Sequence, residues 1–229
     1  MKKVSLVLIA IILIGSQFLL PRYTAQQLRK SVGEEVDEYK TLEIEINSWP
    51  ALKLLVKAAD QVQIRADEIT IDKLRLAELR AKFKNLQLQE KNGEWQAIKG
   101  ENTELDILIT EADLNNYLRA QKELDIFEKI KLDITPQQVI LKGLISIFNA
   151  QVRLQLTGDF TVIKDKKIIF SSDKLAVENF LISTSSIEQL KEKLQFELDL
   201  TELPLPLDVR EVELAKDQLK IKGPTRENN

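Results

Sequence analysis

From residue 139 to residue 221 apolar and polar positions alternate almost without pause. A period of two puts every second side chain on one face of a strand, so this stretch predicts long antiparallel strands with a single apolar face. The apolar positions run Val139, Leu141, Ile145 and Ile147, then Val152, Leu154 and Leu156, then Phe160 and Val162, and continue through Ile168, Phe170, Leu175, Val177, Phe180 and Ile182. Gly158-Asp159 and Lys164-Asp165-Lys166 read as turns between successive strands of a meander. Leu203-Pro204-Leu205-Pro206-Leu207 reads as an edge strand, where proline is tolerated, and a final hairpin turns at Asp217.

The first half carries the same period with interruptions. Leu42, Ile44 and Ile46 alternate with charged residues, as do Val62, Ile64 and Ala66, then Leu74 and Leu76, then Leu79, Ala81 and Phe83. Helical pairing competes over residues 67–83. The parity flips at Leu86 and Leu88, which demands a bulge or kink near Lys84-Asn85. Asn92-Gly93 is a turn, with strands resuming over 95–98 and 104–109. Three helices interrupt this pattern. Ser48-Trp49-Pro50 opens one, with Leu52, Leu55, Val56 and Ala59 as a core-facing stripe. Thr110-Glu111-Ala112-Asp113 resembles a capping box, with Leu114, Tyr117, Leu118 and Leu124 following on one face. Ser185 or Ser186 caps a third, carrying Ile187, Leu190, Leu194 and Leu198. Few helices and long one-sided strands predict an α+β fold in which a curved antiparallel sheet wraps around amphipathic helices.

The extreme N-terminus departs from both periods. Lys2 and Lys3 precede an apolar run of 17 residues, 4–20, broken by Ser5 and Gly15-Ser16-Gln17 and closed by Pro21-Arg22. This has the form of an export signal or transmembrane helix. The best cleavage candidate, Ile14-Gly15-Ser16, has a bulky residue where a small one is required, which favours an uncleaved anchor over a secreted product. The lysines place the N-terminus in the cytoplasm and everything beyond Pro21 outside, at the cell membrane. Residues 1–21 are therefore read as anchor or signal. Residues 22–38, with Tyr23, Leu28, Val32 and Val36 one turn apart, form a juxtamembrane helix or spacer. Residues 39–223 form the α+β domain and 224–229 a disordered tail.

Composition removes much chemistry. The chain has no Cys and no His, so it has no disulfide framework, thiolate, lipoprotein-type cysteine anchor or imidazole base. Ser-His-Asp and Cys-His mechanisms cannot be assembled. No phosphate-cradling glycine loop or calcium-binding loop is present, and no metal or cofactor is expected. With 33 basic and 36 acidic residues the net charge is −3, and −5 without Lys2 and Lys3, which argues against nucleic acid as a partner.

Several segments, taken in order, resemble a known family. Trp49-Pro50-Ala51-Leu52-Lys53-Leu54-Leu55, Ile109-Thr110-Glu111-Ala112-Asp113-Leu114-Asn115, the strands from Val139 to Val162, and the Leu203–Leu207 segment with the final hairpin look like the LmeA-like phospholipid-binding proteins of the bacterial envelope. The chain departs from that pattern at Ala59-Asp60 and Asp217-Gln218, where the family tends to place glycine. The resemblance implies a fold similar to the tubular lipid-binding (TULIP-like, BPI-like) domains and a non-catalytic role in envelope lipid or glycolipid metabolism or lipid shuttling, with phospholipid as partner and the membrane reached through the N-terminal segment.

An apolar groove for acyl chains needs side chains facing one another across a gap. On the helices Leu114, Tyr117, Leu118, Leu190 and Leu194 are candidates, opposed on the sheet by Ile145, Ile147, Leu154, Phe160 and Phe180. Ordinary core packing predicts the same pattern. Arg80, Lys82 and Lys84 share a strand face and could meet a phosphate head group, although a solvated polar face has the same appearance. Two rival readings remain. A hydrolase or transferase would use a carboxylate pair, with Glu111 and Asp113 as candidates, though both also suit a helix N-terminus. A scaffold would hold partners on an exposed sheet edge, which Pro204 and Pro206 disfavour.

Overall fold

The computed structural model describes residues 2–91, 94–124, 127–147, 150–164, 166–177 and 195–224, with the side chains of 2–13 and of Lys91, Glu94, Glu123, Ile147, Ala150, Lys164, Asp173 and Val177 outside that description. The chain is α+β and dominated by antiparallel strands. Helix α1 spans Lys2–Glu35. It is followed by β1 (Thr41–Asn47), a 3-10 turn (Ala51–Val56), β2 (Ala58–Ile71), β3 (Leu74–Lys91), β4 (Glu94–Thr110) and helix α2 (Glu111–Arg119). A further 3-10 turn (Lys122–Leu124) leads into β5 (Phe127–Ile134), β6 (Val139–Ile147), β7 (Ala150–Lys164), β8 (Lys167–Val177), β9 (Phe196–Asp199), β10 (Glu211–Ala215) and β11 (Gln218–Lys222). Among the described residues these strands make two sheets, one ordered β1-β2-β3-β4-β11-β10 and the other β5-β6-β7-β8-β9. Their inner faces, α1 and α2 share one apolar core.

The alternation along the sequence is the reason for this arrangement. On β2 and β3 the inward pairs are Val62 opposite Phe83, Ile64 opposite Ala81 and Ala66 opposite Leu79, large against small in two of the three. Asp72 and Lys73, both at positive φ (43° and 69°), close the hairpin between them as a two-residue turn requires. The parity flip is a bulge at the expected place. Asn85 has φ 51°, the pairing with β4 slips between Lys84 and Gln87, and Leu86 and Leu88 both reach the core. β4 is a single strand through 95–109, and Asn92-Gly93 lies outside the described residues.

Elsewhere the period misleads. Gly158 is not a turn. β7 passes through it, and a Cβ there would lie 2.0 Å from the Ser171 carbonyl oxygen, so glycine permits the close approach of β8 at a slip in register. The 203–209 segment is not a strand: Leu203, Leu205, Leu207 and Val209 are buried, but the N–H groups of Leu205 and Leu207 donate to carbonyls two residues back. Leu198 belongs to β9, and the rest of the helix expected from Ser185, with Phe180, Leu190 and Leu194, lies outside the described residues. The last hairpin does turn at Asp217, with φ 58°.

Helix α1 is more than a spacer. Leu28, Val32 and Val36 are buried one turn apart in the shared core, while Tyr23 is exposed. The sheet thus wraps a helix that continues the N-terminal segment. Among the described residues no helix is long and apolar enough to cross a membrane. Most of the run 4–20 falls where the side chains are not described.

Candidate functional site

The Thr110–Asn115 stretch contains the acidic pair that a hydrolase would need, and the structure employs its polar side chains in capping α2 and tying it to β3 and β5. Thr110 caps α2, its hydroxyl accepting from the Asp113 N–H at 3.1 Å and donating to the Asp113 carboxylate at 2.5 Å. The other oxygen of Asp113, which is buried, accepts from Arg75 on β3 at 2.8 Å. Glu111 accepts from the Ile134 N–H at 2.8 Å. Asn115 grips the Leu132 peptide twice, donating to its carbonyl at 2.7 Å and accepting from its N–H at 2.8 Å. β5 is the edge of its sheet, and these side chains supply partners for a row of backbone groups that would otherwise face none. The Asp217 turn completes the seam, its carbonyl accepting from the Glu111 N–H at 2.9 Å and its N–H donating to the Ile134 carbonyl at 3.2 Å.

Just inside that seam lie the described acyl-chain candidates. Leu114, Tyr117 and Leu118 on α2 and Ile145, Leu154 and Phe160 on β6 and β7 are all buried in the shared core. Phe160 packs edge-on against Phe170 and Phe196, both ring centroids 5.7 Å away, and the Tyr117 hydroxyl donates to the Glu197 carbonyl at 3.1 Å. Gly143 keeps room for the Phe127 ring, which would stand 2.2 Å from a Cβ.

The three head-group candidates divide. Arg80 faces Asp106 across the β3–β4 ladder and pairs with Glu78, while Lys82 pairs with Glu104 opposite it. That is a solvated face whose charges compensate one another. Lys84 stands opposite Glu101 in the same ladder but makes no ion pair among the described residues, and it borders a cleft of about 370 Å³ with Glu101, Asn102, Pro206, Asp208 and Arg210. The Arg210 guanidinium is forked onto Asp208 at 2.8 and 3.0 Å.

Asn102 carries no signal in the sequence. Its side chain is 7% exposed, and neither Oδ1 nor Nδ2 has a hydrogen-bond partner among the described residues. An amide buried in this way carries its full desolvation cost, which is uncommon in a folded interior. Periodicity could not reveal it. Counting back from Ile109, Ile107 and Leu105 points Thr103 inward, and only the slip in pairing between Lys82 and Phe83 places Asn102 opposite inward-facing Phe83.

A last group of residues lies where the sequence predicts core. The 3-10 turn buries Ala51 and Leu54 and exposes Leu52, Leu55 and Val56, the reverse of the expected stripe, and Ala59 belongs to β2. Gln17 holds this turn to α1, donating to the Ser48 carbonyl at 2.7 Å and accepting from the Ala51 N–H at 2.9 Å. Asp60 holds it from the other side, accepting from Lys53 at 2.9 Å and from the Trp49 N–H at 2.8 Å. The Lys53 ammonium, with that N–H, keeps the Asp60 carboxyl below the usual carboxylate range. Ile14, Phe18, Trp49 and Leu52 enclose an almost wholly apolar cleft of about 390 Å³ between helix and turn.

Comparison with curated proteins and with solved structures finds no match. A family model described as LmeA-like phospholipid-binding matches residues 15–223, from within α1 through the final hairpin. The match takes in the seam, the buried inner faces, the Asn102 cleft and the 49–56 turn, and the chain belongs to the LmeA-like phospholipid-binding family.

Proposed function

We propose that the chain is a non-catalytic phospholipid-binding protein of the extracytoplasmic face of the membrane, held there by residues 1–21 and acting in envelope lipid metabolism or lipid shuttling. Family membership supports the class of ligand. Acyl chains lie against Leu114, Tyr117, Leu118, Ile145, Leu154 and Phe160, with Ile147, Phe180, Leu190 and Leu194 extending that lining. The polar end lies at the Asn102 cleft, where Lys84 supplies a cation for phosphate and the Asn102 amide a donor and an acceptor for phosphate or ester oxygens.

One observation carries the reading beyond the family: of the buried polar side chains among the described residues, that of Asn102 has both amide atoms without a partner. A protein that holds lipid has a use for such a group, because its missing partners arrive with the ligand. The eight steps along β4 from Asn102 to Thr110 at the foot of α2 span about 25 Å at the rise of a strand. Half a bilayer, and so one lipid, is about 20 Å thick. The spacing therefore suits a phospholipid lying along β4. The catalytic alternative loses its best candidates, since Glu111 and Asp113 are both committed to the seam.

The test is mass spectrometry of organic extracts of the full chain purified from membranes, set against a mock purification. Phospholipid in stoichiometric amount, reduced by Asn102→Leu, is the expected result. Extracts that match the mock, before and after incubation with mixed liposomes, would overturn it.

A further inference from the structure

We propose that the lip formed by the 49–56 turn and the adjoining stretch of α1 docks onto the surface of a lipid bilayer, as a contact separate from the interior site. Trp49 and Val56 are 75% and 77% exposed, and Phe18, Leu19 and Leu55 are each more than 60% exposed. Single exposed apolar residues are ordinary, but a contiguous group of this kind marks an interaction surface. Leu55 continues the side of the turn presented by Leu52, because residues three apart eclipse in a 3-10 helix. Leu52 in turn shares its cleft with Trp49 and Phe18.

Three observations identify the occupant as a bilayer. The lip is continuous with the apolar run 4–20, because Phe18 and Leu19 lie on the same unbroken helix, Lys2–Glu35, as that run. The side chain at its centre is tryptophan, which favours the head-group level of a membrane. Its border carries a cation: exposed Arg22 lines the adjoining cleft with Phe18 and Trp49, while the neighbouring Lys53 and Lys57 are paired with Asp60 and Glu90. An apolar centre with an arginine at its margin is the chemistry of an interfacial anchor on anionic lipid. The lip is also braced from behind. Gln17 and Asp60 fix the turn's backbone, so exposing these side chains does not depend on a loose loop.

The absence of cysteine makes the test direct. In the full chain, Val56→Cys, and separately Lys73→Cys in the distant β2–β3 turn, is labelled with an environment-sensitive fluorophore and reconstituted into phosphatidylcholine–phosphatidylglycerol vesicles. Docking predicts a blue-shifted, brighter emission at position 56 that is quenched by spin-labelled lipid and shielded from iodide, with none of this at position 73. Trp49→Glu with Leu55→Glu should return position 56 to its aqueous spectrum while the chain stays in the vesicles. Equal iodide access at both positions would overturn the proposal. So would energy transfer between labelled copies at position 56 that does not require lipid, since the lip would then be a contact between two chains. Phospholipid measured in the same samples separates failure of docking from failure of the interior site.

Discussion

The Thr110–Asn115 seam and the 49–56 lip exchange the roles that their sequences suggest. The seam has the makings of a reactive site, with two acids, an amide and a hydroxyl within six residues, yet each of those groups is spent on backbone or on Arg75. The lip has the pattern of an ordinary amphipathic helix facing a core, yet Leu52, Leu55 and Val56 face outward. Polar residues are kept inside a fold when they satisfy buried backbone groups, and apolar residues are kept outside when something other than folding selects them. Satisfied polarity therefore marks structure here, while the two proposals rest on unsatisfied polarity at Asn102 and uncovered apolar surface at the lip.

Substitutions break or sharpen that contrast. Asn115→Leu should destabilise the fold most, by about 3 kcal/mol, because both buried groups of the Leu132 peptide lose their partners. Urea unfolding reads this directly. Arg75→Met follows, at about 2 kcal/mol, since it leaves the buried Asp113 carboxylate with the Thr110 hydroxyl and no cation, and the loss is moderated by the half-exposed position of the arginine. Asn102→Leu should leave stability unchanged or raise it while lowering retained phospholipid, a combination that no purely structural role gives. Leu55→Glu with Val56→Glu should stay within about 0.5 kcal/mol of the parent in unfolding experiments.

The smallest effect is a pH dependence at the lip. Asp60 is held below its unfolded pKa by Lys53 and the Trp49 N–H, so its contribution is complete above the ordinary carboxylate value of about 4. That contribution is lost as the pH falls through the lowered folded value. Trp49 fluorescence should show the turn loosening in this acid range, and Asp60→Asn should show the loosened signal already at neutral pH.

Much of the fold is legible in the sequence because period two is a strong signal over long strands. The bulge at Asn85 follows from a parity flip alone, and the α2 start from its capping box. What the pattern misses has physical causes. Gly158 resembles a turn because glycine serves turns and close strand approaches alike. The 51–56 stripe resembles core because a six-residue turn has too few positions to tell a buried face from an exposed one. The site is less legible. The acyl-lining candidates among the described residues are buried, as groove and core both require. Lys84 separates from Arg80 and Lys82 only through its partners in space, and Asn102 is hidden by a register slip that no one-dimensional pattern records.

The central claim is that the interior holds phospholipid with its polar end at Asn102. Native mass spectrometry of the full chain and of Asn102→Leu, purified side by side from membranes, tests it most directly. The account predicts a mass increment of one phospholipid on the parent chain and a marked loss of that increment in a variant at least as stable. An unliganded parent, or equal loading of a properly folded variant, would contradict it.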